Sequence, residues 1–147
     1  MTDPAGANAA NRLAHVVARL SRRIRGANTG LSYGPLSALA TIEKFAPVRL
    51  ADVAHQEFIS APSTTRLVAD LERRGLVSRS VDPDDGRAFL LDVTAAGETE
   101  VSRARTARGA LVERLFVPLD ESDLALIVAA LPALERLLEL DERAQRR

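Results

Sequence analysis

Apolar residues recur at intervals of three and four along most of the chain, and this spacing predicts amphipathic helices. The first helix is predicted over residues 9–26, where arginines lie largely between the apolar positions. A second helix is predicted from an N-cap at Ser32 through Lys44, and a short third one over residues 50–57. The chain up to this point is therefore expected to be largely helical.

The fourth helix carries start and stop signals in its sequence. Ser60 is expected to be its N-cap, Pro62 lies in the first turn, where a missing N–H is harmless, and Gly75 follows the end. The residues expected to anchor this helix in the core are Leu67, Val68 and Leu71. Those expected to share its outward face are Ser63, Thr65 and Arg66.

A β-hairpin is predicted directly after the fourth helix. Its strands cover residues 76–80 and 88–93, and the DPDDGR segment between them contains the proline and glycine that suit a tight turn. Thr94 is then expected to cap a long helix that runs to about Phe116. A last helix is predicted to begin at Asp120.

The order helix, helix, short helix, helix, hairpin, long helix, helix indicates one architecture. It is mainly α with a small β-hairpin wing (α+β): a winged helix-turn-helix flanked by N- and C-terminal helices. Residues 1–147 are expected to form a single domain, because this is an ordinary length for one. Pro132 lies inside the last helix and is expected to kink it.

Composition excludes several classes of site. The chain has no cysteine, which removes disulfides and thiolate metal sites. His15 and His55 are too few for a metal cluster, and a calcium loop starting at DPDD would need a glutamate where Val93 stands. No metal or cofactor is therefore expected. No segment approaches the roughly 18 apolar residues of a membrane span, and the N-terminus does not resemble a signal peptide. A cytoplasmic location is expected.

Charge is unevenly distributed although the net charge is zero. Residues 11–25 carry five arginines and no acid, whereas residues 120–147 carry seven acids and four arginines. The neutral total gives no support for a nucleic-acid partner, so such a partner must be argued from local patterns. No nucleophile, base and oxyanion set or phosphate-binding glycine loop is visible, and an enzyme is not expected.

The first turn of the fourth helix suits contact with DNA. In a helix-turn-helix, the second helix enters the major groove, where Ser63, Thr65 and Arg66 would meet base edges and phosphates. An ordinary amphipathic helix start is the alternative, but it does not account for an arginine and small hydroxyl residues on one outward face. Arg73, Arg74 and Arg79 are open between phosphate contacts and intramolecular pairing with Glu72 or Asp82.

The stretch LVADLERRGLVSRSVDPDDGRAFLLDVTAAG, residues 67–97, resembles the multiple-antibiotic-resistance regulator (MarR) family of winged helix-turn-helix transcription factors. Glu57 and Phe58 stand where that family more often has an apolar residue and a glycine. The matching positions, all at the family's spacing, are Gly75, Leu76, Val77, Arg79, Asp85, Arg87, Val93, Thr94 and Gly97.

The resemblance implies a DNA-binding role for the hairpin. Arg87 at its tip would enter the minor groove, where the negative potential is enhanced, with Asp85 holding its guanidinium. Asp82 and Asp84 are expected to form the turn. The DNA-binding lobe is expected to span residues 33–93. Its predicted contact residues are Ser60, Pro62, Ser63, Thr65, Arg66, Arg73, Arg79, Asp85 and Arg87.

The helices outside this lobe, 9–26 and 94–142, have large apolar faces. They form either an internal bundle or, as the resemblance implies, the interface of a homodimer on a pseudo-palindromic double-stranded operator. The expected function is transcriptional regulation, as a repressor rather than an activator. The resemblance also implies a small lipophilic or phenolic effector, with His15, Tyr33 and Phe116 as pocket candidates. The alternative is a winged-helix module that binds a protein or small ligand without DNA.

Overall fold

The described residues, 4–26 and 30–145, form six helices and three strands in a computed structural model. The helices and strands, in chain order, are α1 (Pro4–Arg25), α2 (Tyr33–Phe45), β1 (Val48–Arg49), α3 (Leu50–Gln56), α4 (Ala61–Arg73), β2 (Val77–Val81), β3 (Phe89–Val93), α5 (Ala95–Phe116) and α6 (Glu121–Gln145). All six predicted helices and both predicted strands are thus confirmed. The largest difference in their bounds is at α1, which begins at Pro4 rather than at residue 9.

Strand β1 was not predicted from the sequence. It has two residues, and it pairs antiparallel with β3 so that Val48 lies opposite Leu91 and Arg49 opposite Leu90. The sheet order is β1-β3-β2, with β2 and β3 joined as the predicted hairpin. Two residues are too few to show the alternation that identifies a strand in a sequence.

The helix caps follow the predicted positions but not always the predicted contacts. Ser32 and Ser60 occupy the N-cap positions of α2 and α4 in an extended conformation, but neither hydroxyl caps its helix. Ser60 instead donates to the hydroxyl of Ser63 at 2.9 Å. Thr94 does cap α5, since its hydroxyl accepts the N–H of Gly97 at 3.1 Å.

The core lies where α2, α3 and α4 pack against each other and against the sheet. Its largest fully buried side chains are Leu39, Ile42, Val53, Thr64, Val68, Leu71 and Leu91. Two of the three predicted anchors of α4, Val68 and Leu71, belong to this set, and Leu67 is partly buried against it. Helix α4 is therefore held from one side, and its opposite side faces solvent.

The chain divides into two compact units, Met1–Gly109 and Ala110–Arg147. The first unit contains α1 to α4 and the sheet, and the boundary falls within α5. Helix α6 in the second unit continues through Pro132 to Gln145. Among the helices described, none is both long and apolar enough to span a membrane.

Candidate nucleic-acid interface

The first turn of α4 presents small polar groups and one arginine to solvent. Pro62, Thr65 and Arg66 are exposed, and Ser63 is partly buried. The hydroxyl of Thr65 donates to the carbonyl of Ala61 at 2.9 Å, so it keeps its lone pairs for accepting hydrogen bonds. Within the part of the chain that the structure describes, the guanidinium of Arg66 makes no hydrogen bond or ion pair. This arginine is therefore available to an external acceptor.

Thr64 explains how the first turn is fixed. It is fully buried between these outward residues, and both its backbone N–H and its hydroxyl donate to the carbonyl of Ser60, at 2.9 and 3.1 Å. A buried hydroxyl needs such a partner, since an unsatisfied one costs about 1–3 kcal/mol. Ser60 thus holds the start of α4 through its carbonyl rather than through its side chain.

The arginines at the far end of α4 and in β2 are paired within the chain. Arg73 and Arg74 both contact the carboxylate of Asp70, at 2.8 and 2.7 Å. Hydrogen bonding from Arg73, aided by the charge of Arg74, lowers the pKa of Asp70. Arg79 pairs with Glu72 at 2.8 Å, not with Asp82. Arg73 and Arg74 thus pair with Asp70 rather than with the expected Glu72 or Asp82, and phosphate contacts by these arginines stay a prediction.

The guanidinium of Arg79 also lies 5.3 Å from the centre of the Phe89 ring, on the neighbouring strand β3. A guanidinium at this distance over an aromatic face gains about 0.5–1 kcal/mol at an exposed site. Arg79 is thus held from two directions, by a carboxylate of α4 and by a ring of the wing.

The tip of the wing is built by its acidic residues. The carboxylate of Asp82 accepts the N–H of Asp84 at 2.9 Å, and that of Asp85 accepts the N–H of Arg87 at 3.1 Å. Each is an Asx turn, in which a side chain closes onto a backbone amide two residues ahead. The prediction that Asp82 forms the turn is confirmed.

The expectation that Asp85 holds the guanidinium of Arg87 is not met in this structure. Asp85 contacts the backbone N–H of Arg87, because a spacing of two residues with Gly86 between suits an Asx turn. The guanidinium itself has no carboxylate partner among the described residues. Arg87 is exposed at the tip, so its side chain is free to meet an external group.

The three residues predicted to line an effector pocket lie on separate elements. His15 is exposed on α1, and Tyr33 is exposed at the start of α2, with the guanidinium of Arg25 at 5.1 Å from its ring centre. Phe116 ends α5 and belongs to the other compact unit. A cavity of about 260 Å³ beside β3 has none of the three in its wall. The effector pocket stays a prediction.

Comparison with known proteins places these features in one family. The chain is 38% identical over 113 residues to an uncharacterised HTH-type transcriptional regulator of Mycobacterium leprae, covering 75% of this chain and 79% of that protein. The family model described as MarR family matches residues 31–89. The chain belongs to the MarR family. The region that the family model matches runs from just before α2 to the start of β3.

Two further similar proteins extend the comparison. The repressor MdtR of Bacillus subtilis is 25% identical over 115 residues, covering 78% of this chain and 74% of that protein. The structure of Streptococcus pneumoniae FabT in complex with DNA superimposes with a TM-score of 0.67 at 19% identity, covering 88% of this chain and 96% of that one. At this identity the likeness shows the fold, and the predicted winged helix-turn-helix is confirmed.

Membership in the MarR family makes the chain a DNA-binding transcriptional regulator and not an enzyme, as the sequence predicted.

One feature of the helix-turn-helix differs from the usual family pattern. Phe58, between α3 and α4, has a φ of 53° and is 76% exposed. Such a left-handed conformation costs a residue other than glycine on the order of 1 kcal/mol or more. Glu57 beside it accepts a hydrogen bond from the hydroxyl of Thr41 on α2.

Sequence reasoning missed one contact of the interface. Arg49, in β1, donates to the carboxylate of Asp82 at the base of the wing tip. The two residues are 33 positions apart, and their contact depends on the pairing of β1 with β3. Because the strand itself has no recognisable sequence pattern, no signal in the sequence could have linked these residues.

Proposed function

We propose that this protein is a repressor that binds a pseudo-palindromic operator as a homodimer, with α4 in the major groove and the wing tip in the minor groove. The observation that carries this proposal is the pair of exposed arginines, Arg66 on the outward face of α4 and Arg87 at the wing tip, whose guanidinium groups have no partner among residues 4–26 and 30–145. Each lies where a winged helix-turn-helix meets DNA.

The outward side of α4 supports contact with base edges. Thr65 offers a hydroxyl oxygen and a methyl group, and Arg66 can donate two hydrogen bonds to a guanine. Ser63 is partly buried and shares a hydrogen bond with Ser60, so it would reach a base edge or phosphate only by exchanging that partner. Arg66 is therefore the main candidate for direct readout, with Thr65 beside it and Pro62 packing nearby.

Phosphate contacts by Arg73 and Arg79 would take place in competition with Asp70 and Glu72. Both ion pairs are at least partly exposed, and such pairs typically contribute about 0–1 kcal/mol. A phosphate could therefore replace the carboxylates with little loss of free energy. These contacts would add affinity without choosing a sequence.

The dimer is supported by apolar residues that the single chain leaves uncovered. On α1 they are Leu13, Val16, Val17 and Leu20, and on α6 they are Leu124, Leu126, Val128, Leu131, Leu134, Leu137, Leu138 and Leu140. Exposed apolar residues repeated along a helix in this way favour an interaction site on each of the two helices. The arginines of α1 and the acids of residues 120–147 give the two helices opposite charge, which favours pairing between copies. A two-fold dimer would separate its recognition helices by roughly 34 Å, one turn of DNA.

Repression is favoured because the Bacillus subtilis relative is named as a repressor. A small lipophilic or phenolic effector would release the operator if it prefers a dimer geometry that does not fit DNA. By linkage, the effector and DNA would then weaken each other's binding by the same factor. His15, Tyr33 and Phe116 are the residues to test for such binding.

The proposal is tested by fluorescence anisotropy with the promoter region beside the coding sequence, over a range of salt concentrations. We expect affinity to fall steeply with salt, since each phosphate contact contributes a slope of roughly 0.9. Arg87→Ala should weaken binding by roughly 10- to 100-fold, which corresponds to about 1.4–2.8 kcal/mol.

The matched control is Arg105→Ala on α5. This arginine is also exposed and belongs to the same compact unit, but it pairs with Glu43 at 3.0 Å, away from the wing. It should leave DNA affinity nearly unchanged. Absent or salt-insensitive binding by the wild-type protein would overturn the proposal and favour a module that binds a protein or small ligand. A monomer in light scattering at micromolar concentration would overturn the dimer.

A further inference from the structure

We propose that Arg49 and Asp82 form a positioning pair that holds the wing against the helix-turn-helix, so that DNA binding requires an acidic side chain in the wing. The inference rests on the proposed function, because it concerns how Arg87 is presented to DNA. Neither Arg49 nor Asp82 needs to touch DNA for this role. The pair would act through the position of the wing tip.

Asp82 is the one buried charge among the wing-tip residues 82–87, with 3% of its surface exposed. One carboxylate oxygen accepts the N–H of Asp84, and the other faces Arg49, with its Nε at 2.8 Å and a terminal nitrogen at 2.6 Å. The bond from Asp84 and then those from Arg49 lower the pKa of Asp82, so it stays ionised at neutral pH. A buried carboxylate with this many donors is a fixed point in the structure.

Arg49 connects this fixed point to the helix-turn-helix. It is the second residue of β1 and occupies the N-cap position of α3, the first helix of the motif. Its backbone is fixed opposite Leu90 of β3. Its side chain therefore joins the start of α3 to the far end of β2.

The side chain of Arg49 holds a part of the wing that the sheet does not. Strand β1 ends opposite Leu90, so no strand of the described residues lies beside the outer end of β3 and the tip on that side. The N–H of Asp82 donates to the carbonyl of Ala88 at 3.0 Å and closes the tip there. The bridge from Arg49 to Asp82 thus supports the base of the loop that carries Arg87.

Electrostatics alone predicts the opposite effect for Asp82. An acidic side chain near a polyanion repels it, so removing the charge should raise DNA affinity. A positioning role predicts that removing the charge lowers affinity, because the wing loses its bridge. The sign of the change therefore separates the two explanations.

The sign is measured by anisotropy with Asp82→Asn, with Asp84→Asn as the matched control. Asp84 is the next acid of the tip and is exposed, and among the described residues it makes contact only through its backbone N–H. We expect Asp82→Asn to weaken binding by roughly fivefold or more, a coupling in the range of contacting residues. Asp84→Asn should leave binding unchanged or strengthen it. Equal or stronger binding by Asp82→Asn would overturn the proposal.

A second measurement asks whether Arg49 acts through Arg87. Arg49→Ala is compared in the wild-type protein and in Arg87→Ala. If the pair positions the wing, the loss caused by Arg49→Ala should largely vanish once Arg87 is absent. An undiminished loss would mean that Arg49, which is half exposed, contacts phosphate itself, and would refute the positioning role.

Arg49→Lys guards against variants that fold poorly. Lysine keeps the charge that a phosphate contact needs but cannot reproduce the two-nitrogen contact with Asp82. Weakened binding by a fully folded Arg49→Lys, judged by its thermal melting, supports the pair, and wild-type binding counts against it. Failure of the wild-type protein to bind any operator would instead remove the proposed function, with no bearing on the contact between Arg49 and Asp82.

Discussion

Gly97, in the first turn of α5, has no room for a side chain. A Cβ atom at this position would lie 2.2 Å from the carbonyl oxygen of Leu76 and 2.7 Å from a methyl group of Val93. The same carbonyl accepts the N–H of Thr94 at 3.0 Å, so it is fixed by the junction between the hairpin and α5. Gly97→Ala must therefore push α5 away from the hairpin.

The magnitude follows from the contacts that would be lost or compressed. Overpacking by one methyl group costs about 1–3 kcal/mol, and losing the bond between Thr94 and Leu76 adds about 1 kcal/mol. Alanine also favours the helix over glycine by about 1 kcal/mol. The net expectation is a free energy of unfolding that is lower by about 1–3 kcal/mol.

Gly109→Ala is the matched control, because Gly109 lies in the same helix and a Cβ there would meet nothing within 4 Å. It should raise the free energy of unfolding by up to about 1 kcal/mol through helix propensity alone. Urea denaturation followed by circular dichroism measures both variants. If Gly97→Ala were as stable as Gly109→Ala, the close approach of Gly97 to Leu76 would be refuted.

Three further changes have expected outcomes. Thr94→Ala removes the cap on Gly97 and the hydroxyl bond to Gly75, and should lower the free energy of unfolding by about 1–2 kcal/mol in urea. Pro132→Ala restores a donor inside α6 and should increase the helical signal and melting temperature, since an interior proline disfavours a helix by about 3 kcal/mol; an unchanged melt would contradict this. The bond from Asp84 and those from Arg49 lower the pKa of Asp82 from its ordinary 3.8, so their contribution to stability is complete above about pH 4 and is lost as pH falls through the lowered pKa. When the free energy of unfolding is measured as pH is lowered, Asp82→Asn should lack that part of the loss of stability.

The helices could be predicted from the sequence because apolar residues recur along them at intervals of three and four. Leu36, Leu39 and Ile42 of α2, for example, are spaced three residues apart and are all buried. The hydrogen bonds made by the capping residues were predicted less well. Ser60 has the right residue type and position, but the hydroxyl of Ser63 lies within reach and takes its hydrogen bond. Residue type predicts where a helix begins better than it predicts which group caps it.

The candidate site was predictable where it depends on local sequence and not where it depends on pairing across the chain. The acids of the wing tip could be recognised as turn formers, because an Asx turn needs only two residues of separation. Which carboxylate each arginine meets could not be predicted. Arg79 meets Glu72 rather than Asp82, because Asp82 is taken by Arg49 from a strand that the sequence does not reveal.

If the wing tip enters the minor groove as proposed, its two Asx turns also bear on the rate at which the protein leaves DNA. A flexible tip must lose conformational freedom when it is bound, at about 0.5–1.5 kcal/mol for each ordered side chain. Here the backbone from Asp82 to Arg87 is already fixed by its own carboxylates, so mainly the side chain of Arg87 has freedom left to lose. A preorganised tip retains more of its contact energy in the complex and lengthens the residence time. In the proposed complex, the acids of the wing would thus favour a long residence time although their charge opposes DNA binding.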